Sequence, residues 1–502
     1  MKRLSSILLA LALALTLAAC GGPVQEPGSV SAPPPDASQE APLPLDIPFS
    51  LAAYPSYSFH PVLALNRANL TLAPLLYEPL FQVDAAFQAV PVLCQAHTAT
   101  EDKLCWTFTL RSGVTFSDGT PLNGEAVSAA LELARQPGSR YAQRLRDVSG
   151  ITATENSITI YLRRPKGDLP VLLDIPIALN GEDRAPGTGP YVLSGREDDL
   201  TLTARPGWWQ SKTLPTREIP LTQVGQSDDL ISAFASGDVG LVDVDLMGTN
   251  ALGYSGNYET WDYATTDFLY LGFNTQSGIC QNTKVRQALA RAVDRDSIAQ
   301  VDYARHAVPT TLPVHPGSGL FRTGPAEALS YDPEQVVAQL EERKVLGRSL
   351  VLLVNSENTA KAAAAQRIAG QLEAAGMEVT LSKLPFDDYV AALKQRAYDL
   401  YLGETVLTAD FDLAPLLSSS GSLNYGLWQD SQTDSLLYAL HSADGEERAT
   451  AAGNLFAHLN EHVPIVPICF KNGSALTQWG RLEGLSPLRG NVFHQLENWT
   501  IQ

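Results

Sequence analysis

Residues 349–381 read SLVLLVNSENTAKAAAAQRIAGQLEAAGMEVTL and contain three segments with different residue patterns. Residues 349–354 are predicted as a buried strand, residues 359–375 as an alanine-rich helix, and residues 377–381 as a second strand. A strand, a helix and a strand in this order predict an α/β fold with a mixed or parallel sheet.

Neighbouring segments support the same fold class. Residues 106–110 (WTFTL) alternate large apolar residues with threonine, which predicts a strand, and Asn123 is placed to cap the helix that follows. Further along the chain, Asp332 and Pro333 form an acidic cap and a first helical position. Strands and helices are therefore expected to alternate from residue 46 onward.

The composition limits the class of partner. The 502 residues include 54 Asp and Glu against 35 Lys and Arg, a formal net charge of −19. An acidic chain is poorly suited to nucleic acid and to anionic lipid surfaces, which both attract Lys and Arg. Hydrophobic residues make up 45% of the chain, which is typical of a globular protein, and the length predicts about three domain-sized units.

The first residues predict an export signal. Residues 1–3 (MKR) are basic, and the apolar run at 7–19 rises only about 20 Å as a helix, too short to cross about 30 Å of hydrocarbon. The following residues, LAAC at 17–20, resemble the lipobox of bacterial lipoproteins, in which the cysteine is lipidated. We therefore predict a signal peptide at 1–19 and a palmitate-type lipid anchor on Cys20; the alternative is an ordinary signal with an incidental cysteine. Residues 20–45 are rich in Pro, Ser and Gly and are predicted to form a tether, which places the protein outside the cytoplasm at a membrane.

Four further cysteines follow the tether. An even count outside the cytoplasm permits two disulfides in three pairings. Cys94 and Cys105 flank a predicted hairpin, so we favour the pairs Cys94–Cys105 and Cys280–Cys469. Four free thiols are the alternative.

One short motif carries possible metal chemistry. Residues 458–462 (HLNEH) match the HxxEH pattern of inverted zinc proteases, with His458 and His462 one helical turn apart. An apolar strand pattern begins directly afterwards, and few helical patterns remain to supply a third ligand. Polar residues on the solvated face of a helix are the favoured interpretation, so no metal and no cofactor are predicted.

Several segments in order resemble the family 5 extracellular solute-binding proteins, the peptide and nickel receptors of bacterial ABC importers. The matching segments together extend over roughly residues 55–490. They are LYEPL at 76–80, WTFTLRSGVTFSDGTP at 106–121, GTGPY at 187–191, LGFN at 271–274 with VRQAL at 285–289 and AVDR at 292–295, TADF at 408–411, and VPIVP at 463–467.

The resemblance implies a type II periplasmic-binding-protein fold of the cluster C style, with two lobes, a hinge and an extra inserted domain. On that template, lobe I comprises residues 46–79, 185–265 and 474–502, and the inserted domain comprises residues 80–184. Lobe II comprises residues 266–473. The chain would cross between the lobes near residues 268–274 and 472–476, and the solute would lie between the lobes.

The same resemblance assigns ligand-binding roles. Asp410 would receive the ammonium of a bound peptide, because an Ala-Asp-aromatic stretch does so in peptide-binding members. Phe411, Tyr425, Trp428 and Asn274 are further candidates for solute contact. The segment before Asp410 carries Glu404 and no basic residue or tryptophan. A partner for a peptide carboxylate is therefore not visible, and Asp410 capping a surface loop is the alternative.

These observations predict a lipid-anchored, monomeric receptor rather than an enzyme. It would capture a small solute, in first place an oligopeptide, and deliver it to an ABC permease without nucleic acid or a cofactor. The alternatives are a receptor for another solute such as a nickel complex or an amino-sugar compound, a zinc protease using His458 and His462, and a surface lipoprotein that acts as a sensor or adhesin.

Overall fold

The structure is a computed structural model that describes residues 49–196, 199–249 and 251–502. The predicted signal peptide, Cys20 and the predicted tether at 20–45 lie outside the described residues. In the part of the chain that is described, no helix is long and apolar enough to cross a membrane.

The described chain alternates short strands with helices, and only two strands are long. The strands are β1 (Leu51–Ala53), β2 (Phe81–Val83), β3 (Ala89–Pro91), β4 (Cys94–Ala99), β5 (Cys105–Leu110), β6 (Val148–Ala153), β7 (Ser157–Leu162), β8 (Tyr191–Ser194), β9 (Thr201–Ala204), β10 (Glu218–Gln223), β11 (Leu241–Val244), β12 (Tyr258–Phe273), β13 (Ala307–Pro309), β14 (Ser349–Asn355), β15 (Glu378–Leu384), β16 (Leu400–Val406), β17 (Ile465–Gln478), β18 (Leu482–Glu483) and β19 (Thr500–Ile501).

Most helices are preceded by an N-cap residue whose side chain accepts a hydrogen bond from a backbone N–H of the first turn, as Asn123 and Asp332 do. The helices are α1 (Arg67–Leu76), α2 (Gly124–Ala134), α3 (Ser227–Ser236), α4 (Thr283–Arg291), α5 (Arg295–Ser297), α6 (Thr323–Glu327), α7 (Pro333–Glu342), α8 (Thr359–Ala374), α9 (Phe386–Gln395), α10 (Ala414–Leu417), α11 (Ser431–Ser442) and α12 (Gly445–His462).

The strand–helix–strand prediction for residues 349–381 is confirmed. β14 and β15 pair in parallel, with Ser349 opposite Glu378, and α8 connects them. Asn358 caps α8 by accepting from the Lys361 N–H. The apolar face of α8 is buried with β14 in the core of lobe II, and Leu352 and Ile368 are among its members.

One mixed sheet carries the fold. Among the described residues, eleven strands form it in the order β15-β14-β16-β12-β17-β11-β1-β10-β9-β8, with β13 on β17. β12 and β17 are 16 and 14 residues long and pair antiparallel with each other. Their shared ladder lies next to β11 of lobe I at one end and next to β16 of lobe II at the other.

The β12–β17 ladder changes register close to the predicted boundary between lobe I and lobe II. Of its two register shifts, the first lies between Ala264 and Asp267, a few residues before the predicted crossing at 268–274, and the second lies between Leu269 and Tyr270, inside that crossing. Thr265 and Thr266 occupy the break, and each hydroxyl donates 2.6 Å to a backbone carbonyl, of Lys471 and Leu407 respectively. These bonds satisfy polar groups that the ladder leaves buried.

The predicted inserted domain, residues 80–184, contains a separate four-stranded antiparallel sheet in the order β4-β5-β7-β6. The inward residues of β5 and β7, such as Phe108 and Ile160, pack with Val127 and Leu131 of α2. The same hydrophobic cluster continues into lobe II through Phe411 and Phe470. The inserted domain therefore packs on lobe II in this structure.

The structure does not form the predicted disulfides: Cys94, Cys105, Cys280 and Cys469 are all free in it. In the β4–β5 hairpin, Cys94 lies opposite Leu110, whereas the Cys105 carbonyl accepts from the Thr100 N–H at the other end. About five residues of strand, roughly 17 Å, separate those two positions. Cys280 lies on a short 3-10 helix beyond β12, and Cys469 lies within β17 opposite Leu269, so this pair is not bridged either.

Candidate functional site

A cluster of charged side chains lies at the first register shift of the β12–β17 ladder. Lys471 of β17 is almost fully enclosed, with its side chain 3% exposed. Its Nζ lies near three carboxylates from three different segments: 2.6 Å from Glu404, 3.1 Å from Asp245 and 3.8 Å from Asp267. We call these four residues the crossing cluster. One ammonium faces three carboxylates, so the cluster carries an excess of negative charge.

The pKa values of Asp267 and Lys471 in the crossing cluster are shifted by burial and by the neighbouring carboxylates. Burial is the largest influence on Asp267, and it acts with the charges of Asp245 and Glu404 to raise its pKa to about 6, although Lys471 opposes this. For Lys471, burial lowers the pKa, but the carboxylates outweigh it and hold the pKa above its ordinary value. Lys471 therefore stays charged at neutral pH, and burial favours the protonated form of Asp267.

A cavity of about 310 Å³ lies on the lobe I side of this cluster. Arg67 at the start of α1 lines it and pairs with Asp243 of β11 at 3.0 Å. The Tyr263 hydroxyl also donates to Asp243, at 2.5 Å. Asp245 and Tyr254 also line the cavity. The cavity therefore presents polar and aromatic groups that are suited to a small solute.

Asp410 lies four residues beyond β16, at the end of the strand that is next to the crossing cluster. Its carboxylate accepts from the Lys166 ammonium at 2.6 Å, and the two side chains are each 6% exposed. Thr408 donates to the other carboxylate oxygen, and Arg448 donates to the Asp410 backbone carbonyl at 2.9 Å. Burial opposes ionisation, but the charges of Lys166 and Arg448 outweigh it and hold the pKa of Asp410 below its ordinary value.

The Lys166–Asp410 pair is part of a larger contact between the inserted domain and lobe II. Gly167 donates to the His441 carbonyl at 2.9 Å, and a Cβ at Gly167 would lie 1.8 Å from a backbone oxygen of lobe II. Only glycine fits there. Three further ion pairs join the two parts: Arg146–Asp412, Arg448–Asp168 and Lys103–Asp444.

Phe411 is close to Asp410 but is enclosed. Its backbone has a φ of 54°, in the left-handed region, and its side chain is buried. Its ring lies 4.9 Å from Phe87 of the inserted domain and 5.8 Å from Phe470 of β17, measured between ring centroids. In this structure Phe411 packs the domain contact, and its predicted contact with solute stays a prediction.

The structure does not bring Asn274 and Tyr425 to Asp410. Asn274 follows the far end of β12, about seven residues or 23 Å of strand from the register shift. There its amide donates 3.2 Å to the Tyr398 carbonyl, and the Tyr398 hydroxyl in turn donates to the Tyr425 carbonyl. Asn274 and Tyr425 therefore contribute to contacts just beyond the C-terminal end of β12.

Trp428 packs among the helices of lobe II. Its indole N–H donates 3.0 Å to Thr433, the Arg286 guanidinium lies 5.7 Å from the ring centroid, and His462 lies 6.0 Å away. These contacts give Trp428 a structural role in this conformation, and its predicted contact with solute stays a prediction.

The HxxEH segment forms the last turn of α12. The rings of His458 and His462 lie 4.3 Å apart between centroids, and His458 bonds to Asp430 at 2.7 Å. Within the described residues, no group of three or more His, Cys, Asp or Glu is arranged to hold a metal ion. The helix ends at His462, and Arg286 donates to the carbonyls of His462 and of the following residue, Val463. The HxxEH segment is therefore the C-terminal turn of α12, directly before β17.

Sequence reasoning missed Lys166 and Lys471. Lys166 follows two arginines and a proline and resembles a solvated basic loop, and Lys471 is a single lysine at the end of an apolar strand pattern. A lysine inside an otherwise apolar strand is a signal that could have identified Lys471, because buried lysine needs a charged partner. Lys166 gives no comparable local signal.

Comparisons with known proteins agree on one family. The model of the bacterial extracellular solute-binding proteins, family 5, matches residues 88–424. The glutathione-binding protein GsiB of Salmonella typhi is 24% identical over 451 residues, covering 80% of this chain and 88% of that protein.

Two solved structures illustrate the similarity of fold. A putative peptide-binding protein AppA from Clostridium difficile has a TM-score of 0.73 at 16% identity, covering 91% of this chain and all of that one. NikA from Staphylococcus aureus, solved with Ni(L-His)₂, has a TM-score of 0.59 at 17% identity, covering 92% of this chain and all of that one. The predicted two-lobed α/β fold is confirmed by such neighbours.

Proposed function

The chain belongs to family 5 of the bacterial extracellular solute-binding proteins, and on that premise we propose that it captures oligopeptides between its two lobes and delivers them to an ABC permease. Membership makes it the substrate-binding protein of an ABC importer, which acts outside the cytoplasm on small solutes. The peptide as solute, the lipid anchor and the monomeric state are the parts that we propose.

The observation that carries the proposal is the shared β12–β17 ladder. Two long strands are the connection between the halves of the large sheet, and their pairing changes register between Ala264 and Asp267. A two-stranded connection with a break in its hydrogen-bond pattern is suited to bending, and hinge closure around a solute is the usual movement of such proteins. We propose the lobe boundaries at 265/266, which lies inside this break, and at 473/474, which lies two residues from the break on β17 between Lys471 and Asn472.

Peptides are preferred over other solutes on the strength of the chain's relatives. GsiB is named for glutathione and the Clostridium difficile AppA for peptides, whereas NikA is described with a nickel–histidine complex. A nickel complex is therefore the second candidate. The acidic crossing cluster would attract a cationic group of either solute, since Asp245 lines the cavity beside it.

The lipid anchor rests on Cys20. We propose that the mature protein begins at this residue and that its acyl chains hold the receptor near its permease. Cys20→Ala should move the protein from the membrane fraction to the soluble fraction, because the described residues contain no helix that could span a membrane. Membrane fractionation unchanged by the substitution would disprove the anchor.

The solute is tested directly on the Cys20→Ala protein purified without refolding. Native mass spectrometry should show a retained small molecule, whose mass distinguishes a peptide from a nickel complex. Adding a pool of di- to pentapeptides should lower the radius of gyration measured by X-ray scattering. It should also raise the melting temperature, because binding at a hundredfold excess over Kd increases the free energy of unfolding by about 2.7 kcal/mol. The receptor function would be refuted if the purified protein retained no solute and also showed no response to peptides or to nickel–histidine.

A further inference from the structure

The turn at residues 245–248 follows β11 and is held in a compact form by its own groups. The Met247 N–H donates to Oδ1 of Asp245 at 3.1 Å, and the Gly248 N–H donates to the Asp245 carbonyl at 3.3 Å. A Cβ at Gly248 would lie 2.6 Å from the other carboxylate oxygen of Asp245. Glycine therefore allows the backbone of the turn to approach this carboxylate closely.

This turn contacts the proposed lobe II in three ways. The Met247 carbonyl accepts from the side-chain amide of Asn358 at 3.1 Å, and the Met247 side chain packs against the hydrophobic cluster that β14 and α8 share. Oδ2 of Asp245 accepts from Lys471 at 3.1 Å. One short turn therefore offers a backbone acceptor, an apolar side chain and a carboxylate to three separate elements.

The side chain of Asn358 uses both ends of its amide in these contacts. Its oxygen accepts from the Lys361 N–H at 2.9 Å and so caps α8, its nitrogen donates to Met247, and the residue is only 2% exposed. Both bonds require the same orientation of the amide, which fixes the geometry of the contact. An aspartate at this position could still cap the helix, but its carboxylate has no N–H to donate.

The same turn also borders the cavity of about 310 Å³, because Asp245 and Gly248 line it together with Leu72 of α1. Met247 and Asn358 are not among the described residues that line it. We propose that the turn at residues 245–248 is the contact through which solute in this cavity holds the two lobes together. Met247 and Asn358 are then positioning residues, which set the affinity for solute through the closing of the lobes. This inference rests on the proposed function.

The size of the effect follows from the bond that is removed. One hydrogen bond between uncharged groups shifts a conformational equilibrium by about two- to tenfold. When solute binds only with the lobes together, its apparent affinity falls in proportion to the population of that state. Asn358→Asp should therefore weaken solute binding by about tenfold, since its carboxylate also faces the Met247 carbonyl oxygen and repels it.

Distances between two spin labels test the contact without knowledge of the solute. Nitroxides are attached to Ala235→Cys on α3 and Glu373→Cys on α8, which are exposed positions in proposed lobes I and II. The background is the Cys20→Ala protein with Cys105→Ser, because Cys105 is the free cysteine of the described chain that is not fully buried. Pulsed electron resonance then gives the populations of short and long distances before any solute is added.

Two variants and two matched controls are compared in this background. Asn358→Asp and Met247→Ala should each increase the ratio of long to short distances by about two- to tenfold. Asn123→Asp keeps the cap of α2, and Met377→Ala shortens a methionine inside the core of proposed lobe II. Neither control changes the turn or its contacts, so both should show the wild-type ratio.

The affinity measurement uses the pool of di- to pentapeptides, titrated against each protein and followed by native mass spectrometry. Asn358→Asp and Met247→Ala should bind the pool about two- to tenfold more weakly than wild type, whereas Asn123→Asp should bind it equally well. Saturating peptide should also move the wild-type distances towards the short population.

Two results would overturn the inference. One is a wild-type ratio of distances in both Asn358→Asp and Met247→Ala, and the other is a shifted ratio with unchanged peptide affinity. If the wild-type protein binds neither the peptide pool nor nickel–histidine, the receptor proposal fails instead. The distances measured without solute would still decide whether the turn holds the lobes together.

Discussion

Asp267→Asn is expected to stabilise the protein at neutral pH. In the crossing cluster, Asp267 is the most distant of three carboxylates from the single ammonium of Lys471, at 3.8 Å against 2.6 Å and 3.1 Å. Burial and the neighbouring carboxylates raise its pKa to about 6. An unfolded aspartate has a pKa of about 3.9, so ionisation of Asp267 at pH 7 costs the folded state about 3 kcal/mol.

The sign of the pH dependence follows from the direction of this shift. A carboxyl whose folded pKa is raised binds its proton more tightly in the folded state than in the unfolded one. Its contribution to stability is therefore full below about pH 4 and is lost as the pH rises through about 6. Neutral asparagine has no such proton, so the variant should gain up to about 3 kcal/mol over wild type at pH 7 and almost nothing at pH 4.

Urea denaturation followed by tryptophan fluorescence at pH 7, 5.5 and 4 would measure this difference. Glu259→Gln is the matched control, because it neutralises a carboxylate on the same strand but outside the crossing cluster, and it should change stability by less than about 0.5 kcal/mol. A variant that is less stable than wild type at pH 7 would show that Asp267 is a needed partner of Lys471 rather than an excess charge.

Three further results are expected. Thiol titration of the denatured Cys20→Ala protein should find four thiols per chain, because all four described cysteines are free, and a count of two or none would restore the disulfides. Arg286→Lys should destabilise lobe II by about 3 kcal/mol, because one ammonium cannot replace a guanidinium that bonds to four carbonyls; chemical denaturation that shows no change would contradict this. His458→Ala with His462→Ala should leave solute retention unchanged and bound zinc at the wild-type level, and zinc lost together with solute would favour the protease alternative.

Local patterns predicted the elements of this fold well. The strand, helix and strand at 349–381 depend on the residues inside each segment, on burial of one face and on caps such as Asn358, all of which lie within a few positions of each other. The caps at Asn123 and Asp332 were found for the same reason. The assignment of segments to two lobes came from the family resemblance, because a local residue pattern carries no information on which distant segments share a lobe.

Register and long-range partners were not predictable in this way. Cys94 and Cys105 do flank a hairpin, but the pairing places them at opposite ends of it. The sequence marked Asp410 as an acid with specific chemistry, and its structural partner Lys166 comes from another domain.

The amino-acid sequence by itself therefore determined the α/β class, the main helices and strands and the family of this protein. Only the tertiary structure decided which charges meet: Lys166 with Asp410, and Lys471 with three carboxylates at the register shift. The physical reason is that secondary structure follows from interactions between near neighbours in the chain, whereas an enclosed ion pair forms wherever the packing of distant segments excludes water and leaves each charge only the other as partner.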